Sequence, residues 1–165
     1  MDPWKISIIY SYFGVMLILS IYGIHRYFLV YLYYRYKKGR PSPATRFSSF
    51  PRVTVQLPIY NEACVISRLI DAVCALDYPR DRLEIQVLDD STDETVFIAE
   101  SKVKEKREQG FDITYIHRQD RTGFKAGALK AGLSIAKSEF IAIFDADFIP
   151  QPGMLKKIIH YFIVF

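Results

Sequence analysis

FIAIFDAD, residues 140–147, places five apolar residues directly before two aspartates that are separated by one residue. A short apolar run of this kind predicts a buried β-strand, so the aspartates should emerge at the strand's carboxyl end. On extended chain, Asp145 and Asp147 point to the same side, about 7 Å apart. Such a pair suits a hard divalent cation that also binds phosphate oxygens, and a solvated turn with two aspartates is the alternative.

Residues 53–162 alternate short strands with helices that carry apolar residues on one face. Strands are predicted over 53–57, 84–88, 113–116 and 140–144, and helices over 62–76, 91–109, 124–136 and 152–162. Ser91 and Glu94 fit a capping box that would open the second helix. The alternation predicts an α/β fold, a doubly wound parallel sheet whose apolar strands are covered on both faces.

Polar residues follow each predicted strand, at the edge where open parallel sheets bind ligands. Tyr60 and Glu62 follow the first strand, Asp89 and Asp90 the second, and His117 and Arg118 the third. Four segments that deliver polar groups to one edge form a stronger signal than any single motif.

Lys125 stands at the start of a helix rich in Gly and Ala, where a lysine suits an anion site, although a solvated lysine is the simpler alternative. Tyr60 is a candidate for stacking on a nucleobase, or else a packing residue. The chain contains neither GxGxxG after the first strand nor GxxxxGK[ST], which argues against an NAD enzyme and a P-loop NTPase. The three histidines have no metal-ligand spacing.

Residues 1–38 are predicted to form a transmembrane anchor helix with a basic flank. Arg26 is the only charge from Ile6 to Tyr34, and about 20 apolar residues span a bilayer core of about 30 Å. A cleaved signal peptide and a buried core helix are the alternatives. The basic residues that follow place this flank in the cytoplasm. We therefore expect a plasma (inner) membrane protein with its N-terminus outside and its α/β domain cytoplasmic.

Residues 39–51 contain three prolines and are expected to form a linker. Residues 1–61 carry eight basic residues against one acidic residue, and residues 62–165 carry 14 against 17. The positive charge therefore belongs to the membrane flank, so we expect membrane lipid and no nucleic acid among the partners. Cys64 and Cys74 lie about 15 Å apart on one predicted helix and are expected to be buried free thiols.

Four ordered motifs together resemble family 2 glycosyltransferases, most closely the cellulose synthase-like and mannan synthase-like membrane branch. They are PIYNE (58–62), VLDDSTD (87–93), TGFKAGAL (122–129) and FDAD (144–147). The resemblance runs from about Arg52 to Phe162. It implies a GT-A fold, a Rossmann-like sheet, and transfer of a hexose with inversion from a nucleotide-diphosphate sugar. UDP-glucose and GDP-mannose both remain open as donors, and a glycan or a lipid as acceptor.

The resemblance also implies roles for individual residues. Tyr60 and Glu62 would lie near the base and ribose, and Asp90 would contact the base with Asp89 beside it. Lys125 would lie by the diphosphate. Asp145 and Asp147 would form the DxD element that holds Mg²⁺ or Mn²⁺ on the diphosphate, where the metal neutralises the charge of the leaving group.

The sequence departs from the family because it lacks the later Thr-Glu-Asp motif that carries the general base, and the Gln-x-x-Arg-Trp motif that binds the acceptor. We therefore expect residues 52–165 to be the nucleotide-sugar-binding half of a glycosyltransferase domain, with the base beyond residue 165 and no turnover by this chain alone. Two alternatives stay open: a membrane-tethered module without catalysis, and a haloacid dehalogenase-like phosphotransferase, which also places Asp-x-Asp after an apolar strand.

Overall fold

The structure is a computed structural model that describes residues 2–37, 42–43 and 45–162. The chain divides into two compact units, residues 1–42 and residues 43–165. Of the predicted basic flank, Lys38 and Arg40 lie outside the described residues. The same holds for part of the predicted linker and for the last three residues of the chain.

The first unit is a single helix, α1 (Pro3–Tyr36), 34 residues long. At 1.5 Å per residue it measures about 50 Å, which exceeds the thickness of a bilayer core. Its most apolar stretch has a mean hydropathy of 1.8, and none of this stretch is buried against other parts of the chain. Apolar residues are distributed around the whole helix instead of forming one stripe. The helix is therefore long and apolar enough to cross a membrane.

The second unit is built on four parallel strands: β1 (Val53–Ile59), β2 (Leu83–Asp89), β3 (Ile113–His117) and β4 (Phe140–Ile143). Their order across the sheet is β3-β2-β1-β4. The predicted parallel sheet is confirmed. β1 extends two residues beyond its predicted end and includes Pro58, because β4 pairs only with Val53–Gln56 and leaves the proline without a neighbour on that side.

Helices α2 (Ala63–Cys74), α3 (Thr95–Glu108), α4 (Phe124–Leu133) and α5 (Met154–Ile158) connect or follow the strands. The connections through α2 and α3 move the chain in one direction across the sheet, and α4 carries it back past β2 and β1 to the opposite edge. The strand order therefore reverses between β1 and β4, which are neighbours.

The two faces of the sheet are buried in different ways. One face carries the apolar core, in which Val55, Leu57 and Ile85 pack with residues of α2, α3 and α5. The other face carries buried polar side chains that are paired with each other. Gln56 Nε2 donates to Gln86 Oε1 at 3.0 Å beneath α4. Helices therefore cover both faces, as the doubly wound fold requires.

Glu84 extends this polar face. Its carboxylate accepts hydrogen bonds from Thr54 Oγ1 at 2.7 Å and from the Lys137 backbone N–H at 3.0 Å. Burial alone would raise the pKa of Glu84, but these hydrogen bonds and one from Gln86 lower it overall. A buried carboxylate is tolerated here because its oxygens are hydrogen-bonded.

The second half of the predicted linker packs on the α/β unit. Phe47 and Phe50 contact the core, and the backbone N–H of Phe47 donates to His160 Nδ1 at 3.2 Å. The Tyr78 hydroxyl donates to the Pro51 carbonyl at 2.7 Å. The boundary between the two compact units accordingly falls at residue 42, well before residue 51.

Two expectations about burial differ from the structure. Cys64 is exposed and Cys74 is half-buried, and both are free thiols. The prediction that both are buried is therefore wrong, because α2 turns Cys64 outward at its first turn. β4 is half-buried with Ile143 exposed, since β4 is an edge strand within the described residues.

Candidate functional site

The carboxyl ends of β1 and β2 are joined by side chains, and this replaces the predicted capping box. α3 begins at Thr95, and Asp93 Oδ1 accepts the Thr95 backbone N–H at 2.9 Å. Ser91 Oγ instead accepts the backbone N–H of Asn61 at 2.8 Å, and Asn61 Oδ1 accepts that of Thr92 at 2.9 Å. The capping box is wrong because Ser91 bonds across to the neighbouring strand end. Asn61 has a φ of 54°, a left-handed conformation that asparagine tolerates well.

Asp89 is fully buried at the end of β2. Its Oδ1 accepts the Ser91 backbone N–H at 2.8 Å, and its Oδ2 accepts the Tyr115 hydroxyl at 2.5 Å. Burial and the hydrogen bond to Asp89 both raise the pKa of Tyr115. His117 Nδ1 lies 3.6 Å from the same carboxylate. The buried Asp89 side chain therefore connects the end of β2 to β3.

Asp90, the next residue, is also buried but faces the opposite way. Arg118, which follows β3, donates from Nε to Asp90 Oδ1 at 2.7 Å and from Nη2 to Oδ2 at 2.6 Å. This two-point pairing raises the pKa of the Arg118 guanidinium further above its usual value. A buried carboxylate needs such a partner.

The turn between β3 and α4 is closed by its own side chains. Asp120 Oδ1 accepts the Thr122 backbone N–H at 2.9 Å and the Thr122 hydroxyl at 2.6 Å. These hydrogen bonds hold the pKa of Asp120 below its usual value. Gly123 and Phe124 then adopt left-handed φ values of 76° and 51°. The conformation is unusual for a bulky residue and marks Phe124 as a constrained position.

Arg121, at the tip of this turn, reaches Tyr60 at the end of β1. Its guanidinium carbon lies 3.3 Å from the centroid of the Tyr60 ring and 5.2 Å from that of Phe124. Both are cation–π contacts. Among the described residues, Arg121 makes no salt bridge to a carboxylate. Its charge is therefore available to an anion.

Lys125 and Asp145 form an ion pair that joins the start of α4 to the end of β4. Asp145 and Asp147 are exposed, whereas the alternating residues Phe144 and Ala146 are buried. Both carboxylates therefore reach the surface beyond the end of β4. They do not lie on extended chain, because β4 ends at Ile143 and residues 146–147 form a turn.

These segments enclose a cleft of about 400 Å³ at the carboxyl edge of the sheet. The polar side chains that line it are Tyr60, Glu62, Asp90, Arg121, Lys125, Asp145 and Asp147. The structure therefore brings together every residue predicted for the site except Asp89, which lies behind the lining.

The cleft lies between the ends of β1 and β4, where the strand order reverses. Open α/β sheets bind ligands at such a switch point because the connections diverge to the two faces and leave a crevice. The lining carries four carboxylates and two cations, and Arg118 adds one cation behind Asp90. The site is thus mildly acidic, and an anionic ligand needs a compensating cation there.

Asp145 and Asp147 have the chemistry to supply that cation. Among the described residues, no group of three or more His, Cys, Asp or Glu side chains is placed to hold a metal alone. Mg²⁺ and similar ions are often held by one or two carboxylates, with phosphate oxygens and water as the remaining ligands. The pair therefore fits a metal that arrives with a phosphate-bearing ligand.

Arg118 and Arg121 are functional candidates to which the sequence reasoning assigned no role. Arg118 directly follows one predicted strand and Asp89-Asp90 end another, so opposite charges at two strand ends of one sheet edge were a usable signal for an ion pair. The contact of Arg121 with Tyr60 joins two loops 61 positions apart along the chain, and no local pattern indicates it.

Residues 54–164 match the family model described as "Glycosyl transferase family 2". The chain is 42% identical over 125 residues to glucomannan 4-beta-mannosyltransferase 1 of Oryza sativa subsp. japonica, a match that covers 73% of this chain and 24% of that protein. It is 47% identical over 118 residues to glucomannan 4-beta-mannosyltransferase 2 of Arabidopsis thaliana, covering 69% of this chain and 22% of that protein. The chain therefore spans about a quarter of the length of the curated relatives it matches.

Among solved structures, the fold is similar to a mannosyltransferase from Pyrobaculum calidifontis in complex with GDP-Man and Mn²⁺. The TM-score is 0.66 at 32% sequence identity, and the match covers 87% of this chain and 42% of that one. This likeness confirms the predicted GT-A-like arrangement of a parallel sheet with helices on both faces.

Proposed function

The chain belongs to glycosyl transferase family 2, and from that premise we propose that its α/β unit binds the nucleotide-sugar donor and metal of a membrane-bound inverting hexosyltransferase. The observation that carries the proposal is the cleft at the switch point, where Asp145 and Asp147 face Lys125, Tyr60 and Asp90. The acceptor is a glycan or a lipid. The glucomannan mannosyltransferase names of the relatives favour a glycan.

The donor that we propose is of the GDP-mannose type. The relatives are mannosyltransferases, and the similar solved structure contains GDP-Man and Mn²⁺. A UDP-sugar is the competing donor and is distinguished by the titration below.

The lining residues that the sequence predicted each have a proposed task. Tyr60 offers an aromatic face for the base, and Glu62 lies beside it for the ribose. Asp90 accepts hydrogen bonds from the base. Lys125, released from Asp145, contacts the diphosphate and reduces its negative charge. These groups hold the donor in one orientation, and orientation accounts for a large part of catalysis by group transfer.

Asp145 and Asp147 would hold Mg²⁺ or Mn²⁺. When bound, the metal supplies positive charge to the leaving diphosphate. Because the cleft is mildly acidic without it, a dianionic diphosphate should bind weakly in metal-free buffer. We assign the general base to no residue of this chain.

The two alternative functions, a membrane-tethered module without catalysis and a haloacid dehalogenase-like phosphotransferase, are not favoured. The matched family is a glycosyltransferase family. A haloacid dehalogenase-type site would place its Asp pair after the first strand, whereas Asp145 and Asp147 follow the fourth.

Calorimetric titration of GDP and UDP into the detergent-solubilised chain, with and without Mn²⁺, tests the proposal. We expect Mn²⁺-dependent binding, tighter for GDP, and at least a tenfold loss with Mn²⁺ in Asp145→Asn or Asp147→Asn. In metal-free buffer the same variants should bind GDP no more weakly than wild type, because each removes a negative charge. Asp77→Asn is the matched control, since Asp77 is an exposed carboxylate paired with Lys156 outside the cleft.

A wild-type chain that is folded by circular dichroism but binds neither nucleotide would contradict the proposal. Binding that is equally tight without metal would contradict the role of Asp145 and Asp147.

We also propose that α1 spans a membrane with the α/β unit on the cytoplasmic side, because basic residues such as Arg35 and Lys37 follow the apolar stretch. The plasma membrane is the proposed location. Exposed Cys64 offers a direct test in intact cells. A membrane-impermeant maleimide should label it only after permeabilisation, and labelling of intact cells would reverse the orientation.

A further inference from the structure

Arg118 lies behind the cleft lining and binds two parts of the site at once. Beyond its two hydrogen bonds to Asp90, its Nη1 donates to the Thr122 carbonyl at 3.3 Å and its Nη2 to the Phe124 carbonyl at 3.1 Å. The side chain of Arg118 is 18% exposed and that of Asp90 is 4% exposed. Through this one side chain, the four hydrogen bonds together connect the end of β2 to the turn that leads into α4.

The guanidinium group is specifically suited to these contacts. Its planar fork meets both oxygens of a carboxylate, and it has further N–H groups for the carbonyls, whereas a lysine ammonium is a point charge without this geometry. Arg118 donates one hydrogen bond to each Asp90 oxygen. Among the described residues no other group donates to these oxygens, so their remaining lone pairs can accept N–H groups of a ligand.

The end of the turn needs a hold beyond the Asp120–Thr122 hydrogen bonds. Gly123 adopts a left-handed φ at no steric cost, but Phe124 does not, and a bulky residue keeps this conformation only when its surroundings fix it. The Phe124 carbonyl that Arg118 binds directly precedes Lys125, a cleft residue. Gly127 leaves room for Arg118, since a Cβ there would lie 2.8 Å from Nη1.

We propose that Arg118 is a positioning residue of the donor site: its guanidinium fixes Asp90 as the carboxylate that contacts the nucleobase, and it holds the 120–124 turn beside that carboxylate. This inference rests on the proposed function. It assigns base discrimination to a residue that does not line the cleft.

The test compares Arg118→Gln and Arg118→Lys with wild type in the detergent-solubilised full chain. Affinities for GDP, UDP and inorganic pyrophosphate are measured with Mn²⁺ present. Arg107→Lys is the control, because Arg107 is an exposed arginine whose side chain, within the described part of the chain, donates to the Ile113 carbonyl at the opposite end of β3. Thermal melts establish that each variant is folded.

We expect Arg118→Gln to weaken the preferred nucleotide by about 10- to 100-fold, the range for losing hydrogen bonds to a charged group. Affinity for pyrophosphate should fall much less, since two of its proposed contacts, Asp145 and Asp147, follow β4 and lie outside the turn that Arg118 holds. The preference between GDP and UDP should therefore fall toward equality. Arg118→Lys should behave like Arg118→Gln, and Arg107→Lys like wild type.

Equal losses for GDP, UDP and pyrophosphate would mean that Arg118 acts only as scaffold, and unchanged GDP affinity would also overturn the inference. A second measurement needs no ligand. Hydrogen exchange of the amides of residues 120–125 should accelerate in Arg118→Gln and not in Arg107→Lys, and unchanged exchange would refute the hold on the turn. Failure of wild type to bind any nucleotide would instead count against the proposed function.

Discussion

Replacing Gly127 with alanine should damage the cleft more than the fold. A Cβ at this position would lie 2.1 Å from the Thr122 carbonyl oxygen and 2.8 Å from Arg118 Nη1. Ordinary contact begins at 3.4 Å, so the Thr122 oxygen, a backbone atom, must move by about 1.3 Å or the first turn of α4 must open. Either change displaces the turn that carries Arg121 and Lys125.

The magnitudes follow from these contacts. Overpacking costs about 1–3 kcal/mol, and alanine returns about 1 kcal/mol of helix propensity, so the net loss of unfolding free energy is about 0–2 kcal/mol. A displacement of about 1 Å at a reacting site lowers the reaction rate on the order of 100-fold, and we expect displaced binding contacts to be similarly sensitive. We expect GDP affinity with Mn²⁺ to fall by about 10- to 100-fold.

Gly132→Ala provides the matched control on the same helix. Its Cβ would lie 2.6 Å from Gln56 Nε2 and 2.8 Å from Gln86 Oε1, two buried amides that bond to each other outside the cleft. Overpacking of about 1–3 kcal/mol and a broken buried hydrogen bond of about 1–3 kcal/mol outweigh the same helix gain. Gly132→Ala should therefore destabilise the α/β unit more, with GDP affinity unchanged well below its melting temperature.

The assay combines urea denaturation, followed by circular dichroism in mild detergent, with calorimetric titration of GDP. The expected result is a crossover in which Gly132→Ala is the less stable variant and Gly127→Ala the weaker binder. A Gly127→Ala variant with wild-type affinity would refute the reasoning. Equal effects of both variants on stability and on affinity would do the same.

Three further predictions concern other parts of the unit. Tyr60→Ala should weaken nucleotide binding by about tenfold or more while Tyr60→Phe binds like wild type, in the same calorimetric assay, since the ring face and not the hydroxyl is used. Because the folded-state pKa of Glu84 is lowered, its contribution to stability is present above its unfolded-state pKa and lost as pH falls; Glu84→Gln should flatten the acid limb of a stability–pH curve. Burial raises the pKa of Cys74 to about 11, so iodoacetamide at pH 8 should alkylate exposed Cys64 first, as read by peptide mass spectrometry, and equal rates would contradict the structure.

Local patterns in the sequence predicted the element types and the positions of most cleft residues. Apolar strands, one-sided helices and polar strand ends follow from the neighbours of each residue, and together they located Tyr60, Asp90, Lys125 and Asp145 at one edge. The capping box at Ser91 failed because its hydroxyl bonds to Asn61, a residue of another segment. A local pattern cannot register such a partner.

The sequence by itself determined an apolar helix of membrane-spanning length, a parallel α/β unit and a family-specific set of motifs, because each depends on residues close together in the chain. Only the tertiary structure decided the strand order β3-β2-β1-β4, and with it the switch point that sets Tyr60 opposite Asp145. It also separated two adjacent aspartates, since the pleat of β2 turns Asp89 inward to Tyr115 and Asp90 outward to Arg118. Contacts of this kind join residues far apart in the chain, and packing of the whole sheet fixes them.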